Sequence, residues 1–215
     1  MKTAVIFGAA PIKSYETVKK YISSDDYFIF CDGGLVHQKV LDIAPDLIIG
    51  DFDSFDFSDL PENLHENVEI IKLPCEKDDT DTVFAVKEAL RRGFEEFLLV
   101  GVVGERLDHT LGNVSILLML DSEGKKGTII DDYSEMEIVS DRCGMPCIID
   151  DSYVYFSLIN ISGTARGVTI RGAKYPLENA EITCEYQYGV SNEVLPGCTA
   201  EVSVGEGRLL LVKVR

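Results

Sequence analysis

Tyr27-Phe28-Ile29-Phe30-Cys31, followed at once by Asp32-Gly33-Gly34, is the stretch on which the reading of the first half turns. An unbroken run of aromatic and β-branched side chains, with no polar residue alternating through it, is the pattern of a strand buried on both faces. A carboxylate and two glycines then end it in a turn. The same pattern recurs on either side. Upstream, 4–7 gives way to Gly8-Ala9-Ala10-Pro11; downstream, 47–50 gives way to Asp51-Phe52-Asp53-Ser54, 68–73 to Lys77-Asp78-Asp79-Thr80-Asp81, and 97–100 to Gly101 through Arg106, Asp108 and His109. A further apolar run occupies 128–130, and segments of helical period lie near 15–22, 35–41, 82–92 and 110–120. Strands alternating with helices predict a doubly wound, mostly parallel α/β sheet with helices on both faces. In such a sheet all strands point one way, so every polar cluster falls on the same carboxyl rim, where ligands of open α/β sheets bind.

Beyond residue 131 the helical period stops. Short alternating segments at 136–139, 153–159, 168–170, 181–188, 199–204 and 208–214 are separated by turns such as Ser162-Gly163, Leu195-Pro196-Gly197 and Gly205-Glu206-Gly207. These predict a smaller all-β sandwich or barrel. The expected organisation is therefore two domains, 1–131 and 132–215, with no repeat or low-complexity tract between them.

With 215 residues, 46% of them hydrophobic, the chain can bury a core without staples. A formal net charge of −17 repels phosphate backbones and anionic lipid surfaces, which excludes nucleic acid and membrane as expected partners. The six cysteines lack the spacing of a disulfide framework. Cys143, Cys147, Cys184 and Cys198 match no common zinc pattern, so reduced thiols and a cytoplasmic location are expected. The start of the chain has too short an apolar run for a secretory signal, and no later stretch reaches the length of a membrane span.

The rim carboxylates suit Mg²⁺, which takes hard oxygen ligands and keeps substrate phosphate oxygens in its shell. Asp51 and Asp53 are two apart and would share a face of an ideal strand; the competing reading is a loop turn. Thr80, Asp81 or Asp79 caps the helix that follows, yet capping leaves the other acids beside Lys77 unexplained. The Lys77 ammonium suits charge neutralisation on a transferring phosphate. Gly101 and Gly104 let backbone N–H groups approach an anion, and Arg106 offers a planar fork for phosphate oxygens. His109 and Asn113 are four apart and share a helix face.

At these clusters the chain resembles the thiamine pyrophosphokinase family, whose members carry D-G-G, G-D-x-D-S, K-D-x-T-D and G-x-x-G-x-R-x-D-H-x-x-x-N in this order. Here they stand at 32–34, 50–54, 77–81 and 101–113, and Gly189-Val190-Ser191-Asn192 is similar to the family's G-x-S-N element. The resemblance implies Mg²⁺-dependent transfer of the pyrophosphoryl group of ATP to thiamine, by a homodimer with thiamine at the subunit interface. It implies metal-binding and catalytic roles for Asp51, Asp53 and Asp81, with Lys77 catalytic too. Asp32, Gly33, Gly34, Asp78, Thr80, Arg106, Asp108, His109 and Asn113 would serve the nucleotide, and Ser191 and Asn192 would face thiamine. The chain departs from the pattern at Glu105, where relatives often have a second glycine. It also lacks tryptophan, which some relatives place near thiamine; Tyr186, Tyr188 or an apolar residue would take that place. Which aspartate is the general base stays open. Another small-alcohol kinase or nucleotidyltransferase, or a non-catalytic nucleotide-sensing module, are the alternatives.

Overall fold

Ala4–Phe7 (β1), Tyr27–Cys31 (β2), Leu47–Gly50 (β3), Glu69–Lys72 (β4), Glu96–Val100 (β5) and Lys126–Ile130 (β6) pair in parallel, in the order β4-β3-β2-β1-β5-β6. The computed structural model that shows this describes residues 2–52, 68–74, 76 and 78–215; Asp53, Ser54 and Lys77 of the expected site lie outside the described residues. Two compact units are present, Met1–Asp132 and Tyr133–Arg215.

In the first unit the chain steps outward from β1 through β2 and β3 to the edge at β4, then returns to place β5 on the other side of β1. Asp81–Arg91 (α3) makes that return, and it packs across β1, β2 and β3. Alternation of side chains divides the sheet into two buried faces. Val5, Phe7, Phe28, Phe30, Ile48, Leu98, Val100 and Ile130 form one face, closed by Val18 of Tyr15–Lys19 (α1) and Leu41 of Val36–Leu41 (α2). On the other lie α3 and Leu107–Ser122 (α4), whose Leu117 and Leu120 seat directly on Gly127 of β6. The sheet is thus doubly wound, as the alternating runs predict. β4 departs from the expectation of burial on both faces. Being the edge strand, it has neighbours on one side only, and its Ile70 is exposed.

The second unit contains Ser134–Ser140 (β7), Cys147–Asp150 (β8), Tyr155–Ile159 (β9), Thr164–Arg171 (β10), Leu177–Thr183 (β11), Thr199–Ser203 (β12) and Arg208–Val214 (β13). β13 lies between β7 and β9, and the second sheet runs β11-β10-β12-β8, all antiparallel. One core joins them, with Val139, Phe156, Leu158, Leu209 and Leu211 against Ile149, Val168, Ile170, Ile182 and Val202. β8 escapes the sequence pattern because its Ile148 is exposed and only Ile149 and the partly buried Cys147 face the core. The strand expected at 181–188 instead spans Leu177–Thr183: a bulged register with β10 and Asn179 at φ 50° shift the pairing toward the N-terminus. At one end of this core an ion cluster replaces apolar packing. Lys213 pairs with Glu135 and, at 2.8 Å, with Glu137, while the Tyr153 hydroxyl donates to Glu135 at 2.8 Å.

Candidate active site

Register levels the carboxyl ends of the strands. Phe7 stands opposite both Phe30 and Val100, Cys31 opposite Ile49, and Gly50 opposite Lys72. The residues that follow each strand therefore emerge side by side. Asp32 opens the 3₁₀ turn Asp32–Leu35 after β2 and is buried, whereas Asp51, after β3, is half-buried. A Cβ on Gly50 would come within 2.6 Å of the Asp32 Cβ and 3.2 Å of its Cα, so the glycine of this motif is demanded by the close approach of the neighbouring strand's end.

β1 and β5 are neighbours whose connections leave in opposite directions, which makes the gap above them the topological switch point of the sheet. A pocket of about 390 Å³ opens there. Its walls are the 8–11 loop, the 101–106 loop, and the start of α3 at Thr80, Asp81 and Thr82. Of the expected residues, Gly33, Thr80, Asp81, Arg106, His109 and Asn113 line it, whereas Asp32, Gly34, Asp51, Asp78 and Asp108 are not among its lining residues. Glu105 also lines it, so the departure from the family pattern bears directly on the pocket. A larger cleft of about 1080 Å³ opens at the opposite, amino ends of the strands. Two of its carboxylates are engaged in local structure: Asp26 accepts from the N–H groups of Thr3 and Ser23, and Asp46 from that of Phe28.

Helix geometry fixes the lining. Thr80 is the N-cap of α3, its hydroxyl accepting from Val83 N–H at 3.4 Å, which places Asp81 in the first turn. Two side chains of α4 hold the glycine loop. Asn113, buried, donates through Nδ2 to the Val102 carbonyl at 2.8 Å, and Thr110 Oγ1 accepts from Gly104 N–H at 3.1 Å. Gly101 has φ +64°, and a Cβ there would meet the Gly8 carbonyl oxygen at 2.7 Å. The space freed by this glycine is filled by protein. Arg106 and Asp108 form an exposed ion pair at 2.5 Å, and the guanidinium holds the Asp108 carboxyl down to about 2.

In the second unit Ser191 is exposed at φ 59°. Asn192 is buried, and its amide is committed: Nδ2 donates to the Tyr175 carbonyl at 2.8 Å, and Oδ1 accepts from the N–H groups of Tyr175 and Glu193. Tyr186 and Tyr188 are exposed, their ring centroids 5.5 Å apart, and the Tyr188 hydroxyl donates to the Glu181 carbonyl. Sequence reasoning missed the bracing by Thr110 and the buried His37 of α2; neither belongs to a recognisable motif.

Fold and pocket define a doubly wound α/β protein with a pocket at its switch point, joined to a β-sandwich. Residues 18–129 match the family model described as thiamin pyrophosphokinase, catalytic domain, and residues 147–209 match that of the thiamin pyrophosphokinase vitamin B1 binding domain. Thiamine pyrophosphokinase of Bacillus subtilis is 27% identical over 218 residues, covering 99% of each chain. The crystal structure of thiamine pyrophosphokinase from Bacillus subtilis superposes with a TM-score of 0.85 at 26% identity, again over 99% of each chain. That from Geobacillus thermodenitrificans gives 0.81 at 26% identity, over 100% of this chain and 98% of the other. The chain belongs to the thiamin pyrophosphokinase family, enzymes that transfer the pyrophosphoryl group of ATP to thiamine. Membership sets aside the other kinases, the nucleotidyltransferases and the non-catalytic sensor.

Proposed function

We propose that the first unit binds ATP at the switch-point pocket and the sandwich supplies the thiamine-binding residues, so that 1–131 is the catalytic and nucleotide domain and 132–215 the thiamine domain. The observation that carries this is the gathering of the 8–11 loop, the 101–106 loop and the first turn of α3 around one pocket of nucleotide-accommodating size. The thiamine hydroxyl attacks the β-phosphorus of ATP and AMP leaves. Positioning and charge neutralisation supply most of the catalysis in such transfers.

The carboxylates of Asp51 and Asp81, at the end of β3 and the start of α3, are hard-oxygen donors and fit Mg²⁺. Among the described residues no three His, Cys, Asp or Glu side chains cluster as a ready-made metal site. Asp53, which lies outside the described residues, and substrate phosphate would complete the shell, the usual arrangement for Mg²⁺ with nucleotides. When bound, Mg²⁺ neutralises polyphosphate charge. Arg106 and Lys77 add cationic donors for the phosphates, with Asp32, Gly33, Gly34, Asp78, Thr80, Asp108 and His109 shaping the nucleotide site. Asn113 contributes by holding the Val102 carbonyl. Asp51, Asp53 and Asp81 remain the candidates for accepting the hydroxyl proton.

Thiamine meets Ser191, with Asn192 acting indirectly by bracing Tyr175 and Glu193. The exposed pair Tyr186 and Tyr188 takes the place of a tryptophan. The working assembly is a homodimer with thiamine at the subunit interface. We place the enzyme in the cytoplasm, where thiols such as Cys143, Cys147, Cys184 and Cys198 stay reduced.

The test is to incubate the protein with thiamine and Mg-ATP and separate the products by chromatography. AMP and thiamine pyrophosphate should appear in equal amounts, and Asp81→Asn should lower kcat by ~100-fold or more. Near-normal turnover by Asp81→Asn removes that carboxylate from the mechanism.

A further inference from the structure

His37 of α2 is almost wholly buried, at 1% exposure. Its ring lies beside those of Phe7 and Tyr15, with centroids 6.4 and 5.8 Å away. Nδ1 is 2.8 Å from the Tyr15 hydroxyl. Nε2 faces the other way, toward the carbonyls of Gly8 and Ala10, neither of which is aligned to complete a hydrogen bond with it. It also sits against Gly101, where a Cβ would approach it to 2.9 Å. Gly8, Ala10 and Gly101 all line the pocket.

These surroundings select one tautomer. A proton on Nδ1 would leave a bare Nε2 lone pair facing two carbonyl oxygens, acceptor against acceptor. With the proton on Nε2, the Tyr15 O–H donates to Nδ1 and the Nε2–H points at the carbonyls. Burial lowers the ring's pKa, which keeps the imidazole neutral. Tyr15 is itself anchored, because the Asp132 carboxylate accepts from Lys13 N–H at 2.9 Å and Ser14 N–H at 2.7 Å and so fixes the start of α1. A polar column runs from Asp132 through α1 to the floor of the pocket.

We propose that His37, oriented by Tyr15, is a positioning residue for the pyrophosphoryl donor. Its Nε2–H faces the Gly8 and Ala10 carbonyls and attracts them without a formed hydrogen bond, while its ring packs against Gly101, and so it sets the spacing of the two pocket loops, a role that rests on reading this pocket as the ATP site. No contact between His37 and substrate is required. The loops carry the effect.

The test is steady-state kinetics with both substrates on the full chain, comparing His37→Ala, His37→Gln, Tyr15→Phe, the double variant of His37→Ala with Tyr15→Phe, and Arg106→Ala as a pocket control. His37→Ala should raise KM for ATP ~10-fold and leave KM for thiamine within about twofold, the split expected when one substrate's site is loosened. His37→Gln should recover most of that loss, since its amide N–H reaches the position of Nε2–H. Tyr15→Phe should raise KM for ATP ~3-fold alone and add nothing once His37→Ala is present, because the two act as one unit. Equal rises in both KM values, or no rescue by His37→Gln, would make His37 merely structural and overturn the proposal. If Arg106→Ala raises KM for ATP and His37→Ala does not, the pocket stands and the role of His37 falls; if neither moves it, the pocket reading itself is wrong. Should His37→Ala not fold, an unchanged KM for ATP in both Tyr15→Phe and His37→Gln overturns the proposal, and a rise in Tyr15→Phe alone supports it.

Discussion

Replacing Asn113 by leucine keeps the branching of the side chain and removes its donor. Nδ2 now donates to the Val102 carbonyl at 2.8 Å, and Asn113 is only 8% exposed, so water has little access to take its place. A buried carbonyl stripped of its partner costs ~1–3 kcal/mol. For a chain of this length each kcal/mol moves the thermal midpoint by ~2–4 °C. The expected loss of ~2 kcal/mol is therefore a fall of ~4–8 °C. Val102 belongs to the loop that walls the pocket, so KM for ATP should rise in the same variant. Thermal or urea denaturation gives the first quantity and initial rates give the second. The two must move together. A raised KM for ATP with a midpoint within ~1 °C of the parent would mean that Asn113 touches the nucleotide instead of bracing the loop, and would refute the reasoning.

Two further outcomes follow from the charge pairs. Lys213→Met removes the buried cation shared by Glu135 and Glu137 and leaves only Arg215, 3.7 Å from Glu135, to offset them, which should destabilise the chain by ~3 kcal/mol in urea denaturation; a loss below ~1 kcal/mol would show that water reaches the cluster. Glu88 is held at about 2, below its ordinary 4.5, by Arg91 and then Arg92. Because the folded value is the lower one, this contribution is fully present above about 4.5 and is lost as pH falls through about 2. Glu88→Gln should flatten that part of the acid limb in denaturation measured against pH, and an unaltered limb would count against the pairing.

The parallel unit was legible because β1, β2, β3 and β5 are unbroken apolar runs, and a strand buried on both faces has few other sequence signatures. β8 was not, since a four-residue strand with only Cys147 and Ile149 turned to the core is too short to show a period. The polar clusters fall on one rim for a reason of topology: parallel strands bring whatever follows them to the same edge, however distant in the chain. Sequence therefore determined the class of fold and supplied the residues proposed for the site.

Tertiary structure alone decided which of those residues meet. Only the strand order makes β1 and β5 neighbours and opens the pocket between their loops, so that Asp81 and Arg106 line it and Asp32 is buried beside Gly50. Asn113 and Asn192 read from sequence as ligand groups, yet each is engaged in bracing backbone, and His37 had no motif to announce it. The reason is that periodicity records which side of an element is buried. The partner of a buried polar atom is set by segments far away in sequence, and becomes known only when the elements have packed.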